Sequence, residues 1–205
     1  MDLNPSMEKY ANSLKNQIAD IIRDLQNDHQ TLLVEIAFIG YTGINDWPTD
    51  RYIGLTDDID LVGKMLKKCP VSDGNPDDEC RNVVIGYAMA DDLDWTSKRR
   101  IIFHMGNAPS YGRKYHSDNT RDMFLTSHPY WGLEDKIETI ASKNIDIVIL
   151  KISKTTTIME KLLENSYHIQ RNQGFYIENL TKKLNFLDDA VYKTVKYHIV
   201  RMLLK

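Results

Sequence analysis

Apolar runs alternate with amphipathic stretches along most of the chain. After a short polar start, Met7, Tyr10, Ala11, Leu14, Ile18, Ile22 and Leu25 recur at steps of three and four, which places them on one face of a helix. Asn4 or Ser6 can cap that helix, and Pro5 suits its first turn. Residues 32–41, LLVEIAFIGY, are too continuously apolar for a strand with one wet face and predict a central strand covered on both sides. A loop with Gly43, Asn45, Asp46 and Pro48 leads to RYIGL, a short predicted edge strand. Thr56 then caps DDIDLVGKMLKK, whose two leading aspartates suit a helix N-terminus.

Beyond the polar stretch VSDGNPDDE, the positions of Cys80, Val83, Val84, Tyr87 and Ala88 predict another helix, and RRIIFHMG predicts a second buried strand. Residues 106–132 are rich in Gly, Asn, Pro and aromatic residues and long enough to carry function or disorder. Leu133, Ile137, Ile140 and Ala141 mark a helix, IDIVILKI a strand, residues 158–163 a helix and GFYI a short strand. Val191, Val195, His198 and Met202 form the face of a final helix. This alternation predicts the α/β class, with a doubly wound, mostly parallel sheet flanked by helices. In such sheets, sites form outside the carboxyl ends of strands where the strand order reverses. Three segments end in that way: the opening loop, GYTG and MGNAP.

A length of 205 residues fits one domain spanning residues 1–205. With 26 basic against 29 acidic residues, the net charge of −3 leaves no basic footprint for nucleic acid. No apolar run reaches the roughly 18 residues of a membrane span, and the polar first residues do not form a secretory leader. Cys69 and Cys80 lack metal spacing and are expected as reduced thiols, which together with the missing leader points to the cytoplasm.

The chemistry lies in the opening DLNPSM. Asp2, Asn4 and Ser6 present a carboxylate, an amide and a hydroxyl at alternate positions, a donor set that suits a hard cation such as Mg²⁺. This loop resembles the metal-site motif of the von Willebrand factor A domain, Asp-x-Ser-x-Ser before an amphipathic helix. AFIGYTG, GLTDDIDLV, SDGNPDDE and RRIIFHMGNAPSYGRKYH follow in the order of the subgroup that accompanies alpha-type protein kinases. The resemblance is strongest over residues 1–152. It implies a Rossmann-like interaction domain without catalytic chemistry, whose metal-ion-dependent adhesion site receives a partner protein's carboxylate. Carried over, Asp2, Asn4 and Ser6 take the first-loop ligand positions, Asp73 or Asn75 the second-loop position, and Asn107 stands where the family places an aspartate. Asn4 and Asn107 neutralise a cation less well than the usual residues, so Mg²⁺ binding is expected to be weak. The alternative is a vestigial site in which Asn4 and Ser6 only cap the helix, leaving a metal-independent interaction domain.

The resemblance also implies a central hydrophobic strand immediately before the first loop, and no residues of this chain supply it. Its loss would leave two inner strands with unpaired backbone and a gap in the core, each unsatisfied group costing about 1–3 kcal/mol. Three resolutions follow: the chain is a fragment of an alpha-kinase-associated protein, the flanking strands close on one another, or another chain donates a strand. His104 is expected as a satisfied core histidine and His116 as a loop residue that could meet a partner. Tyr130 and Trp131 either anchor an interface or pin their own loop, and Lys193, Lys196, Arg201 and Lys205 are expected to form a solvated face. There is no Gly-x-Ser-x-Gly elbow, phosphate loop or dinucleotide fingerprint. The remaining enzyme alternative is a metal-assisted hydrolase with Asp2 holding Mg²⁺ and Asp73 or His116 as base.

Overall fold

The computed structural model describes residues 1–44, 46, 52–68, 74–75, 77–124, 132–181 and 187–204. Asp73, Cys69, Tyr130, Trp131 and Lys205 lie outside these residues. A 3-10 turn, Pro5–Met7, leads directly into α1 (Glu8–Asp28). The chain continues through β1 (Ile36–Ile39), β2 (Tyr52–Thr56), α2 (Ile59–Lys68), α3 (Val83–Asp91) and β3 (Ile101–Gly106). It ends with α4 (Leu133–Ser142), β4 (Asp146–Lys151), α5 (Thr157–Gln170), β5 (Phe175–Asn179) and α6 (Leu187–Leu203).

β3, β4 and β5 form a parallel sheet in that order, with Ile101 opposite Asp146 and Ile147 opposite Phe175. Every residue of β4 is buried. Ile147 and Ile149 point into a core shared with Val83, Ile137, Leu163 and Tyr167, while Val148 and Leu150 point into a second core with Tyr10, Ile21, Leu25 and Val195. Two apolar faces explain why IDIVILKI shows no polar alternation. The result is the doubly wound α/β arrangement that the sequence pattern predicts. Among the described residues no helix is long and apolar enough to cross a membrane.

Three local differences have physical causes. α2 starts at Ile59 because Asp58 Oδ1 accepts from Leu61 N at 2.8 Å while Thr56 Oγ1 accepts from Asp58 N at 3.1 Å. Residues 106–124 are ordered around buried Asp122, whose carboxylate accepts from Gly112 N at 2.7 Å and Phe124 N at 2.7 Å. The basic face of α6 is solvated only in part: Lys193 and Arg201 are exposed, but Lys196 reaches Asp28 at 3.0 Å and Arg201 lies 4.8 Å from the centre of the Tyr176 ring.

The larger difference concerns residues 32–41. Only Ile36–Ile39 enter a ladder, antiparallel to β2, and Leu33 is 92% exposed. β1 is therefore not a central strand paired along both edges. Its second edge faces β3 across a gap, and the two have not closed on each other. Among the described residues, the backbone of residues 1–3 bridges that gap. Asp2 N donates to Met105 O at 2.9 Å, Leu3 N to Tyr41 O at 2.9 Å, and Tyr41 N to Met1 O at 3.0 Å.

Candidate functional site

The bridge delivers the first loop to the carboxyl ends of β1 and β3. Asp2 is fully buried there, and its two carboxylate oxygens accept from Asn4 N at 3.0 Å and Asn4 Nδ2 at 2.7 Å. Asn4 Nδ2 also donates to Asn107 Oδ1 at 3.0 Å, and Asn4 Oδ1 accepts from Ser6 N at 2.9 Å and from the Ser6 hydroxyl. Asn107 Nδ2 closes the ring by donating to Ser6 Oγ at 2.6 Å. Thus Asp2, Asn4, Ser6 and Asn107 come together although more than 100 positions separate Ser6 from Asn107. Ser6 and the half-buried Asn107 form the solvent-facing lip, with Asp2 at the base. Thr155, beyond β4, holds Asn107 by donating to its carbonyl at 2.6 Å.

The second loop approaches the same corner. A Cβ on Gly74 would sit 3.1 Å from Pro5 Cδ, and the backbone there has φ +63°, a conformation that favours glycine. Asn75, the alternative second-loop ligand, turns its oxygen to Asp77 N at 3.0 Å and its amide to Met123 Sδ at 3.2 Å.

Burial pushes the Asp2 carboxyl up to about 6, opposed by the Asn4 backbone N–H and by the positive charge of Arg81. The carboxylate is thus predominantly ionised at neutral pH. All the side-chain oxygens are hard donors, which fits Mg²⁺, but each already accepts a hydrogen bond or lies in the ring. A cation would have to displace those bonds with only one carboxylate to neutralise it.

Behind the ring, Tyr41 O–H lies 2.6 Å from His104 Nε2 and Tyr87 O–H lies 3.0 Å from His104 Nδ1. Burial lowers the His104 pKa to about 3, so the ring is neutral, donating through one nitrogen and accepting through the other. His104 is therefore a satisfied core histidine. Gly106 makes this packing fit, since a Cβ there would lie 2.6 Å from Tyr41 Oη and 3.4 Å from Asp2 Cβ.

His116, the base suggested for a hydrolase, is buried against Asp122 at 2.9 Å and Ser117 O at 3.0 Å. The Cys80 sulfur, a His116 ring nitrogen and an Asp122 carboxylate oxygen all lie within 4.8 Å of one another. Burial and the carboxylates of Asp122 and Asp78 push the thiol pKa up, opposing a reactive thiolate.

No protein-family model matches the chain. It is 22% identical over 203 residues to alpha-protein kinase vwkA of Dictyostelium discoideum, a match that covers 97% of this chain and 32% of the kinase. A solved pilus adhesin, SpaC of Lactobacillus rhamnosus GG in an open conformation, aligns over 97% of this chain and 29% of its own, with a TM-score of 0.59 and 10% identity. Together these likenesses suggest a von Willebrand A-like fold. The chain spans about a third of the kinase's length, and the adhesin likeness concerns the fold alone.

The opening motif and the Asn107 segment were readable as candidate ligands because their residue types and order are distinctive. Thr155 is not readable in this way: the first threonine of Ser-Lys-Thr-Thr-Thr carries no local signal of a contact with a carbonyl 48 positions away.

Proposed function

We propose that this chain is a non-catalytic protein-interaction module whose polar crevice holds Mg²⁺ weakly and takes a partner protein's carboxylate. The observation that carries this reading is the convergence of Asp2, Asn4, Ser6 and Asn107 at the carboxyl ends of two strands. These residues would hold the ion, which would supply the positive charge that a partner's carboxylate completes. Asp2 contributes the anionic charge at the base, and Ser6 and Asn107 lie where a partner can reach them. The likeness to part of an alpha-protein kinase supports a module acting beside such a kinase.

Calorimetric titration with Mg²⁺ tests the reading. The expected result is weak, saturable heat that disappears in Asp2→Ala. No heat at millimolar metal, or heat unchanged by the substitution, contradicts it. The closed hydrogen-bond ring favours a second reading, in which the same lip binds a partner without metal. Under that reading, partner affinity is unchanged by chelator and falls in Asn107→Ala.

A further inference from the structure

We infer that Cys80, His116 and Asp122 form a structural site for a transition-metal dication of the zinc class, which clamps the segment before α3 to the long loop after β3. The site shares no residue with the crevice of Asp2, Asn4, Ser6 and Asn107, and it does not depend on Mg²⁺.

Three different donors meet out of reach of water. Cys80 is fully buried, and the side chains of His116 and Asp122 are 2% and 0% exposed. Their ligand atoms lie within 4.8 Å of one another, so one point is within about 2.8 Å of all three, close to the roughly 2.0–2.3 Å bonds that zinc makes. Small side-chain adjustments close the difference.

The histidine is oriented for this role. Its Nδ1 lies 3.0 Å from Ser117 O, which can only accept, so Nδ1 carries the ring hydrogen of a neutral imidazole. Nε2 then turns a lone pair toward Asp122 Oδ2 at 2.9 Å. That oxygen also accepts from Gly112 N at 2.7 Å, and Oδ1 accepts from Phe124 N at 2.7 Å, so backbone donors fix the carboxylate as they fix ligating carboxylates elsewhere. Two acceptors facing each other away from water need a positive centre between them. The Arg81 guanidinium is not that centre, because its Nη1 donates to the carbonyls of Asp78 and Cys80. A second ring proton would join His116 to Asp122 but leave the sulfur idle. Cys80 Sγ has no hydrogen-bond partner among the described residues, and it lies near the Asp122 and Asp78 carboxylates.

A dication engages all three groups. It takes the place of the thiol hydrogen, which leaves to solvent as a proton, and one thiolate with one carboxylate cancels its charge. Sulfur and imidazole select the zinc class over Mg²⁺ and Ca²⁺, which take oxygen donors. The Asp78 carboxylate is engaged with Cys80 N at 3.2 Å and Tyr111 O–H at 2.6 Å, which leaves the fourth position to water. The placement suits a clamp. The two segments already run side by side, with Arg81 N donating to Pro109 O at 2.9 Å and Glu79 N to Arg121 O at 2.8 Å. Cys80 sits on one of them, His116 and Asp122 on the other.

The test uses the 205-residue chain, stripped of metal by a chelator, kept reduced and titrated with Co²⁺ as the probe. A thiolate-to-cobalt charge-transfer band that saturates at about one equivalent and is reversed by Zn²⁺ is expected. Cys80→Ser should abolish the band, and His116→Gln and Asp122→Asn should each weaken Co²⁺ binding at least tenfold. Cys69→Ser and Asp2→Ala should leave it unchanged. Because Cys80 Sγ bonds to no described group, Cys80→Ser should melt within a few degrees of the metal-free parent. Zn²⁺ at about 100 times its Kd should raise the parent's Tm by about 5–10 °C and leave that of Cys80→Ser where it was. No band at millimolar Co²⁺ overturns the inference, as does a band that survives Cys80→Ser. A band that needs Cys80 but keeps its affinity in both His116→Gln and Asp122→Asn overturns it in favour of a lone thiol. A zinc-treated chain whose His116 ring still carries protons on both nitrogens, read by nitrogen-15 resonance, overturns it in favour of an imidazolium–carboxylate pair.

Discussion

At the scale of single residues, the crevice depends on close approach and on desolvated polar groups. Gly106→Ala would drive a methyl to within 2.6 Å of Tyr41 Oη, where the surrounding β-strand cannot move away freely. The expected cost is about 1–3 kcal/mol, measured as a lower denaturation midpoint with an unchanged slope. His104 gives a pH signature. Its folded pKa of about 3 lies below the unfolded value of about 6.5, so only the unfolded chain takes up this proton between the two. The stabilisation is complete above about pH 6.5 and falls by about 1.4 kcal/mol per unit as pH drops toward 3. Unfolding curves of His104→Gln, compared with the parent across that range, should show a shallower acid dependence. Equal slopes would contradict the burial of a neutral imidazole between Tyr41 and Tyr87.

At the scale of elements, β4 and α5 are joined near the crevice by a buried ion pair, Lys151 with Glu160, to which Thr157 adds a bond from Lys151 Nζ at 2.8 Å. Lys151→Met would strand the Glu160 charge and is expected to cost about 3–5 kcal/mol, whereas Lys151→Met with Glu160→Leu should recover most of that loss. Chemical denaturation of both variants reads the difference. The helices were legible in the sequence because a buried face repeats every three or four positions, as Tyr10, Ala11, Ile22 and Leu25 show. β4 was legible for a related reason: with both faces covered, it admits no polar alternation. The ends of β1 were not. Leu32, Leu33 and Val34 are as apolar as a central strand, but a strand also needs neighbours along its edge, and pairing is absent from any local pattern. The Tyr41–His104–Tyr87 contacts likewise join three elements and leave no spacing to read.

At the scale of the whole molecule, the described residues form two sheets, one of two strands and one of three, stitched together by residues 1–3. The stitching also builds the site, because Asp2 lies within it and the loop that follows Leu3 carries two more of the four clustered side chains. Weakening it should therefore loosen the molecule and dismantle the crevice together. In Leu3→Ala, which removes a fully buried side chain between Phe38 and Leu66, stability should fall by about 2–5 kcal/mol. Exchange at Asn4 and Tyr41 amides should then rise beyond what global unfolding explains.

The most direct test of the central claim is paramagnetic broadening of amide resonances during titration with Mn²⁺, an ion that shares the oxygen preference of Mg²⁺. Saturable broadening should centre on Asn4, Ser6, Asn107 and Thr155, compete with added Mg²⁺ and vanish in Asp2→Ala. Broadening centred elsewhere, or none at millimolar ion, would contradict a cation site formed by these residues.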